Sequence, residues 1–359
     1  MNTIGFALRL TIFGSSHGPG VGSVLDGCPA GIPISAEMVQ REVDLRKPAP
    51  GIGTARAEED VVQVQSGLLE GKTTGAPIQF FIANKDTDSS KYQAFRVTPR
   101  PGHADYPALV KYGQDHDIRG GGQFSGRMTA PLVAAGAVAR SMLETKGIRI
   151  AAYSQAIGNV ADDDEHVFSE IAENRFKHST RAVDPRVAAL MEKEILAASK
   201  EGDSVGGIVR CLVDGLPVGV GEPFFDTLDG ELAKMMFAIP AVKGVEFGAG
   251  FRSAKMRGSE HNDPFKITNG KVRTETNHAG GILGGLSSGM PVDIKVAFKP
   301  TASISREQRT VDLSKKEDAI VKVQGRHDPC IVPRAVVVVE AAAALVIADL
   351  SLRGGFFAR

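Results

Sequence analysis

Three histidines lie in segments whose residue types could carry proton-transfer chemistry. His17 is in the loop FGSSHGPGVG, His103 is in RPGHADY and His327 is in GRHDPC. Histidine is the side chain that most readily exchanges a proton near neutral pH. A structural interpretation is kept for the histidines in polar or acidic stretches without a glycine frame, which are His116, His166, His178 and His261.

The spacing of the histidines and cysteines argues against a metal site and against disulfides. None of the eight histidines has the i,i+4 spacing of a helical zinc pair, so no metal site is predicted. The three cysteines, Cys28, Cys211 and Cys330, are far apart and form no C-x-x-C pair. We expect buried thiols in a reducing compartment, with the cytoplasm as the expected location.

Glycine-rich segments at residues 13–22, 119–127 and 277–289 have two possible interpretations. They can be tight turns at the corners of sheets. They can also bring backbone N–H groups close to an oxyanion, because glycine adopts a positive φ without strain.

Arginines beside these segments favour the second interpretation. Arg127 and Arg334 stand at matching places where two apolar helices begin. A cation there opposes the helix dipole, so it is poorly placed for stability unless it shares an anion with the N-terminal amides. We therefore predict a phosphate or carboxylate site. The cationic residues that flank the loops are Arg46, Lys47, Arg56, Arg119, Arg127, Arg326 and Arg334.

The segments that must position these residues form an internal repeat in the sequence. Residues 24–32 resemble 212–220, both with Asp-Gly-x-Pro-x-Gly between apolar residues. Residues 73–81 resemble 287–295, and 127–139 resemble 334–346, in the same order. We infer one domain over 1–359, made of related halves at about 1–150 and 200–359 with a connecting insertion at about 150–200.

Each half reads as β-rich segments followed by an Ala/Val-rich helix. A helix with almost no polar face must be buried nearly all round, so we expect a helical layer between sheets. A doubly wound nucleotide-binding sheet would require G-x-G-x-x-G after its first strand, and that pattern is absent. In the insertion, Asp184 and Pro185 predict the start of a helix through Lys200, which Gly202 would stop.

Bulk charge and hydropathy exclude some partners. The chain has 359 residues, and its 42 Lys and Arg balance 42 Asp and Glu. Nucleic acid or an anionic membrane as the main partner would need a basic excess. The most apolar stretch, residues 335–350, is interrupted by Glu340 and Asp349, and we expect it to be too short and too polar to span a bilayer.

Taken together, the motifs resemble the chorismate synthase family over nearly the whole chain. They are GSSHG, RPGHADY, GDSVGG, AVKGVEFG, NHAGGILGG, KPTASI and GRHDPC, in the family's order. The resemblance implies an α+β fold, a β-α-β sandwich with antiparallel sheets, and a homotetramer. It also implies a reduced-FMN-dependent 1,4-anti elimination that converts 5-enolpyruvylshikimate 3-phosphate to chorismate and phosphate, the last common step toward the aromatic amino acids.

The resemblance also assigns roles residue by residue. His17 matches the histidine that protonates the departing phosphate, and His103 matches the histidine near flavin N1. Asp328 matches the aspartate that helps flavin N5 accept the C6 proton. The implied substrate-binding residues are Ser16, Arg46, Ser125, Arg127, Arg326 and Arg334. The implied cofactor-binding residues are Gln123, Phe124, Ser125, Gly284, Lys299, Pro300, Thr301, Ala302, Ser303 and Arg326.

Some positions depart from the family pattern. Many members have arginine and serine where this chain has Gln123 and Phe124, an additional arginine near Pro50, and Asn-Ala where it has Pro240-Ala241. The family's contacts do not carry over at these positions, and Arg56 is the candidate to replace the missing arginine.

Two other functions remain open. An NAD(P)H-dependent flavin reductase would consume NAD(P)H, and some members of the family do reduce their own flavin, but the chain shows no added dinucleotide-binding segment. A non-catalytic scaffold would have let His17, His103 and Asp328 drift, yet each stands in an intact motif.

Overall fold

The computed structural model describes residues 2–49, 51–53, 59–85, 89–90, 92–325 and 327–357. In these ranges the chain forms eight α-helices and eighteen strands. The helices are α1 (Ala36–Leu45), α2 (Asp105–Tyr112), α3 (Thr129–Glu144), α4 (Phe168–Asn174), α5 (Pro185–Lys200), α6 (Leu228–Ala238), α7 (Gly258–His261) and α8 (Val332–Arg353).

Two five-stranded antiparallel sheets form the outer layers. The first has the order β1-β2-β3-β7-β4 and the second β11-β16-β10-β8-β9. The first sheet consists of β1 (Thr3–Ile4), β2 (Arg9–Gly14), β3 (Gly20–Asp26), β4 (Val62–Val64) and β7 (Ile78–Ala83). The second consists of β8 (Arg149–Ile157), β9 (Val160–Ala161), β10 (Gly207–Asp214), β11 (Val242–Phe247) and β16 (Val292–Phe298).

Four two-stranded hairpins complete the strands. They are β5 (Leu68–Leu69) with β6 (Lys72–Thr73), β12 (Phe265–Thr268) with β13 (Lys271–Thr274), β14 (Ile282–Leu283) with β15 (Leu286–Ser287), and β17 (Glu307–Asp312) with β18 (Glu317–Lys322). Short 3₁₀ turns occupy Gln93–Arg96, Arg119–Phe124, Gly126–Met128 and Gly250–Lys255.

The two Ala/Val-rich helices lie between the sheets, which confirms the predicted α+β sandwich. Helix α3 packs on β3 and β7, α8 packs on β8 and β10, and the two helices pack on each other. Their backbones approach closely at Gly136, where a Cβ would lie 2.3 Å from the Cβ of Ala341. This layer forms one apolar core with the inner faces of both sheets.

Helix α8 is longer than the apolar stretch suggested. It runs for 22 residues, and its length and composition would allow a membrane span, so the expectation that it is too short and too polar was wrong. Its apolar window is nevertheless completely buried in the protein, as the core helix of a folded domain is. The two acids inside it are neutralised locally. Glu340 pairs with Arg140 and Arg175, and Asp349 accepts hydrogen bonds from the N–H groups of residues 6–8 at 2.6–3.0 Å.

The first strand of the second sheet lies inside the segment at about 150–200, which was expected only to connect the two halves. Strand β8 pairs with β10 along its whole length, so residues 149–157 belong to this sheet. Helices α4 and α5 then pack against β8. Asp184 caps α5 as expected, accepting from the N–H groups of Arg186 and Val187, and Gly202 follows its end with φ +68°. The division of the chain into related halves stays a prediction.

Candidate functional site

A cavity of about 640 Å³ opens where α3 and α8 begin. Segments from both sheet layers line it, and the volume is typical of a site for a small molecule. The contributing segments are 46–48, 100–104, 120–129, 237–243, 298–303 and 327–338.

The cavity is strongly cationic although the chain as a whole is neutral. Among the described residues that line it, seven are Lys or Arg and two are Asp. Two helix N-termini add partial positive charge to the same place. This arrangement suits a small ligand with several negative charges. The cations are Arg46, Lys47, Arg100, Arg127, Lys243, Lys299 and Arg334, and the acids are Asp60 and Asp328.

Carboxylates on the cavity wall hold the predicted anion-binding arginines. Arg46 and Arg127 both bond to Asp60, at 3.4 Å for Arg46. Arg46 also donates to the hydroxyl of Thr129 at 2.8 Å, at the start of α3. Arg334 pairs with Asp328 and donates to the carbonyl of Arg46 at 3.0 Å. The three arginines are therefore linked around one space, each with a carboxylate partner.

His103 lines the cavity and is held by Asp105 and Arg100. Its Nδ1 lies 2.6 Å from Asp105 Oδ1, and Arg100 Nε and NH2 donate to the same carboxylate at 2.8 Å each. Burial disfavours the charged carboxylate, but the hydrogen bonds from Arg100 and His103 outweigh it and hold the pKa of Asp105 well below its usual range.

His17 is not among the residues that line this cavity; it lies directly behind one of them. A Cβ on Gly120 would lie 2.2 Å from His17 Cδ2, and a Cβ on Gly121 would lie 3.3 Å from His103 Nε2. The two imidazoles thus flank consecutive glycines, which have φ +59° and +83°. His17 Nδ1 lies 2.9 Å from the hydroxyl of Ser89.

Ser16 holds the glycine segment in place. Its hydroxyl donates to the carbonyls of Arg119 and Gly120 at 3.1 and 2.8 Å, and it is not among the lining residues. Asp117 fixes the same end of the segment, because its carboxylate accepts from Arg119 Nε at 2.8 Å and from the Ser15 hydroxyl at 2.9 Å. The hydrogen bond from Arg119 is the main reason that the pKa of Asp117 falls to about 2.

The residues assigned to the cofactor are only partly brought together. Gly284 lies at the exposed turn between β14 and β15, and neither it nor Pro300 is among the lining residues. Arg326, like Arg56 and Pro50, falls outside the described residues. The assigned residues that do line the cavity are Gln123, Phe124, Ser125, Lys299, Thr301, Ala302 and Ser303.

Sequence reasoning missed several residues of the site. Arg100 and Asp105 lie in the motif RPGHADY and Lys243 lies in AVKGVEFG, so their motifs could have pointed to them. Asp60 gave no signal, because its role depends on the two arginines that the fold brings to it. The apolar part of the wall, which was also missed, includes Phe237, Ile239 and Val338.

Comparisons with known proteins identify the family of the chain. The family profile described as chorismate synthase matches residues 8–352. The chain belongs to the chorismate synthase family. Chorismate synthase of Korarchaeum cryptofilum is 50% identical over 350 residues, covering 97% of each chain. That of Dehalococcoides mccartyi (strain 195) is 50% identical over 359 residues, covering 100% of this chain and 98% of the relative.

Solved structures support the same assignment. A crystal structure of chorismate synthase superposes with a TM-score of 0.75 at 29% identity, covering 98% of this chain and 93% of the other. The prediction of the family and of a lyase of the chorismate synthase type is therefore confirmed.

Proposed function

We propose that this enzyme converts 5-enolpyruvylshikimate 3-phosphate to chorismate and phosphate by a 1,4-anti elimination that requires reduced FMN. The observation that carries the proposal is the single cavity with seven cationic side chains, two helix N-termini and His103. A substrate with one phosphate and two carboxylates needs several cations in one enclosure.

Substrate binding is assigned to the arginines that surround Asp60 and Asp328. Arg46, Arg127 and Arg334 already point donors into one region, and each is paired with a carboxylate that a substrate anion can partly replace. Ser125, which precedes α3 and accepts from the N–H of Arg127 at 3.3 Å, adds a hydroxyl at the same end. Arg326 stays a predicted substrate contact.

The residues present fit reduced FMN. Phe237, Ile239 and Val338 give the cavity an apolar surface for a planar ring, while Lys299 and Ser303 give it a polar end. When bound, the cofactor supplies the electron chemistry of the elimination without net oxidation. The chain's own residues position both molecules and keep water from them.

Proton movements are assigned to three side chains. His17 protonates the departing phosphate oxygen, which requires access past Gly120. His103, which lines the cavity, has Nε2 beside Gly121. Asp328 assists removal of the C6 proton, and Arg334 holds its side chain at the cavity wall.

An anaerobic phosphate-release assay with photoreduced FMN and no NAD(P)H tests this function. The wild-type protein should release phosphate and form chorismate, and His17→Ala should lose at least about two orders of magnitude in rate. His261→Gln is the matched control, because the His261 ring lies against the His278 ring at 6.2 Å and is not among the described residues that line the cavity.

Three results would count against the proposal. No phosphate release by the wild type would contradict the reaction, and equal rates for wild type and His17→Ala would remove His17 from the mechanism. A requirement for NAD(P)H in the presence of reduced FMN would favour a flavin reductase.

We also propose that the enzyme is a cytoplasmic homotetramer. Large apolar side chains are exposed on residues 224–267, including Phe224, Phe225, Phe251 and Phe265. Exposed apolar groups in such number favour burial against other chains. Sedimentation equilibrium should give four times the chain mass of 37.9 kDa, and a monomer would contradict the assignment.

A further inference from the structure

Asp105 contacts more of the site than its position outside the cavity suggests. It is the first residue of α2, is 3% exposed and is not among the cavity-lining residues. Its carboxylate accepts from Arg100 through the backbone N–H at 3.1 Å and through Nε and NH2 at 2.8 Å each. The remaining close contact is His103 Nδ1 at 2.6 Å.

These contacts decide where the imidazole proton sits. An ionised carboxylate can only accept hydrogen bonds, so a nitrogen 2.6 Å from it must carry a hydrogen. Arg100 NH2, which has only hydrogens to offer, lies 3.1 Å from Nδ1 and 3.4 Å from Nε2, and its closest acceptor is Asp105 at 2.8 Å. The neutral ring is therefore protonated at Nδ1, which leaves Nε2, beside Gly121, as the nitrogen that exchanges a proton with a bound ligand.

Arg100 extends the same network to a neighbouring segment of the cavity wall. Its NH1 donates to Ser303 Oγ at 3.2 Å, and its guanidinium lies 4.5 Å from the ring centre of Phe95. Ser303 belongs to the segment 299–303, which lines the cavity beside the His103 loop: a Cβ on Gly102 would lie 3.6 Å from the Cβ of Ala302. Asp105 thus fixes both the proton on His103 and, through Arg100, the spacing between two parts of the wall.

We propose that Asp105 is a positioning residue for the reaction, which holds His103 as the Nδ1–H tautomer with Nε2 directed into the cavity. This inference rests on the proposed function. It requires no proton to reach Asp105 itself, because the carboxylate orients and stabilises the ring while Nε2 exchanges the proton.

Nitrogen chemical shifts of the imidazole test the inference without any turnover. In ¹⁵N-labelled wild-type protein without flavin, at a pH where His103 is neutral, Nδ1 should show the shift of a protonated nitrogen and Nε2 that of an unprotonated one. His103→Gln assigns the signals. In Asp105→Asn the side-chain amide can also donate to Nδ1, so the Nε2–H tautomer should appear. Asp115→Asn, which changes an exposed carboxylate nearby, should leave both shifts unchanged.

Steady-state kinetics supply the second readout. Asp105→Asn should lower kcat by about 10²-fold or more while the substrate KM changes little, because Arg46, Arg127 and Arg334 are untouched. A wild-type His103 that is unprotonated at Nδ1 would overturn the inference, even if the variant failed to fold. Unchanged kcat in a folded variant would overturn it too. Absence of phosphate release by the wild type would instead reject the proposed reaction and leave the shifts to decide the role of Asp105.

Discussion

Replacing Gly120 by alanine should disturb His17 without touching any charged group of the site. A Cβ at this position would lie 2.2 Å from His17 Cδ2 and 2.4 Å from Ser16 Oγ, whereas ordinary contacts begin at 3.4 Å. The ring or the glycine segment must therefore move by about 1 Å, and a displacement of that size costs about 10²-fold in rate at a catalytic group. Alanine at φ +59° adds about 1–2 kcal/mol of backbone strain.

Gly147→Ala is the matched control for the strain. It has φ +74° with no atom within 4 Å of the added Cβ, so only the backbone term applies there. We expect a loss of about 1–2 kcal/mol in the free energy of unfolding for Gly147→Ala, with normal activity. Gly120→Ala should lose about 2–5 kcal/mol, since overpacking adds about 1–3 kcal/mol. Urea unfolding and phosphate release measure the two quantities. Equal stability and equal rates for the two variants would refute the reasoning.

Three further outcomes are expected. Because the pKa of Asp105 is lowered in the folded state, its contribution to stability is present above about pH 4 and is lost as pH falls below that. The difference in free energy of unfolding between wild type and Asp105→Asn should therefore shrink with acidification. A difference that stays constant with pH in urea titrations would contradict this. Burial raises the pKa of Cys28 to about 11 and that of Cys330 to about 12, and raises that of Cys211 as well; iodoacetamide at pH 8 should leave the native thiols unlabelled and modify all three cysteines in guanidinium, as mass spectrometry would show. The substrate KM should rise with ionic strength, because salt screens the attraction between the cationic cavity and an anionic ligand; a KM that is independent of salt would argue against electrostatic capture.

The central helices were predictable because their sequence leaves no alternative to burial. An Ala/Val-rich helix without a polar face has nowhere stable to lie except between apolar layers. The boundaries of α5 were also accessible, since Asp184, Pro185 and Gly202 are local signals. The length of α8 was underestimated because Glu340 and Asp349 look like interruptions. Only the fold shows that Arg140 and Arg175 pair with Glu340, and that three backbone N–H groups donate to Asp349.

The site was predictable to the extent that its residues sit in motifs. His103, Arg46, Arg127, Arg334 and Asp328 were singled out, and the fold brings all of them to one cavity. The sequence could not show that His103 lines the cavity whereas His17 lies behind Gly120. Position 120 requires glycine because the His17 imidazole approaches its backbone too closely for a Cβ. Neither of the two general interpretations of a glycine loop contained that reason.

The role of Asp60 was equally inaccessible from the sequence. It arises from its two arginine partners, which are separated from it by 14 and 67 positions in the chain. Long-range pairings of this kind leave no local pattern, because nothing near Asp60 in the sequence distinguishes it from a surface acid.

The burial of α8 has a consequence for biosynthesis. Every strand of both sheets precedes this helix in the chain, yet α8 packs directly on the second sheet and on α3, which covers the first. Helix α3 can cover the first sheet as soon as it is synthesised. The apolar face of the second sheet and the side of α3 that packs on α8 stay uncovered until α8 leaves the ribosome. Until then these apolar surfaces are exposed to other nascent chains. We therefore expect folding to depend on chaperones, and prematurely terminated chains to aggregate.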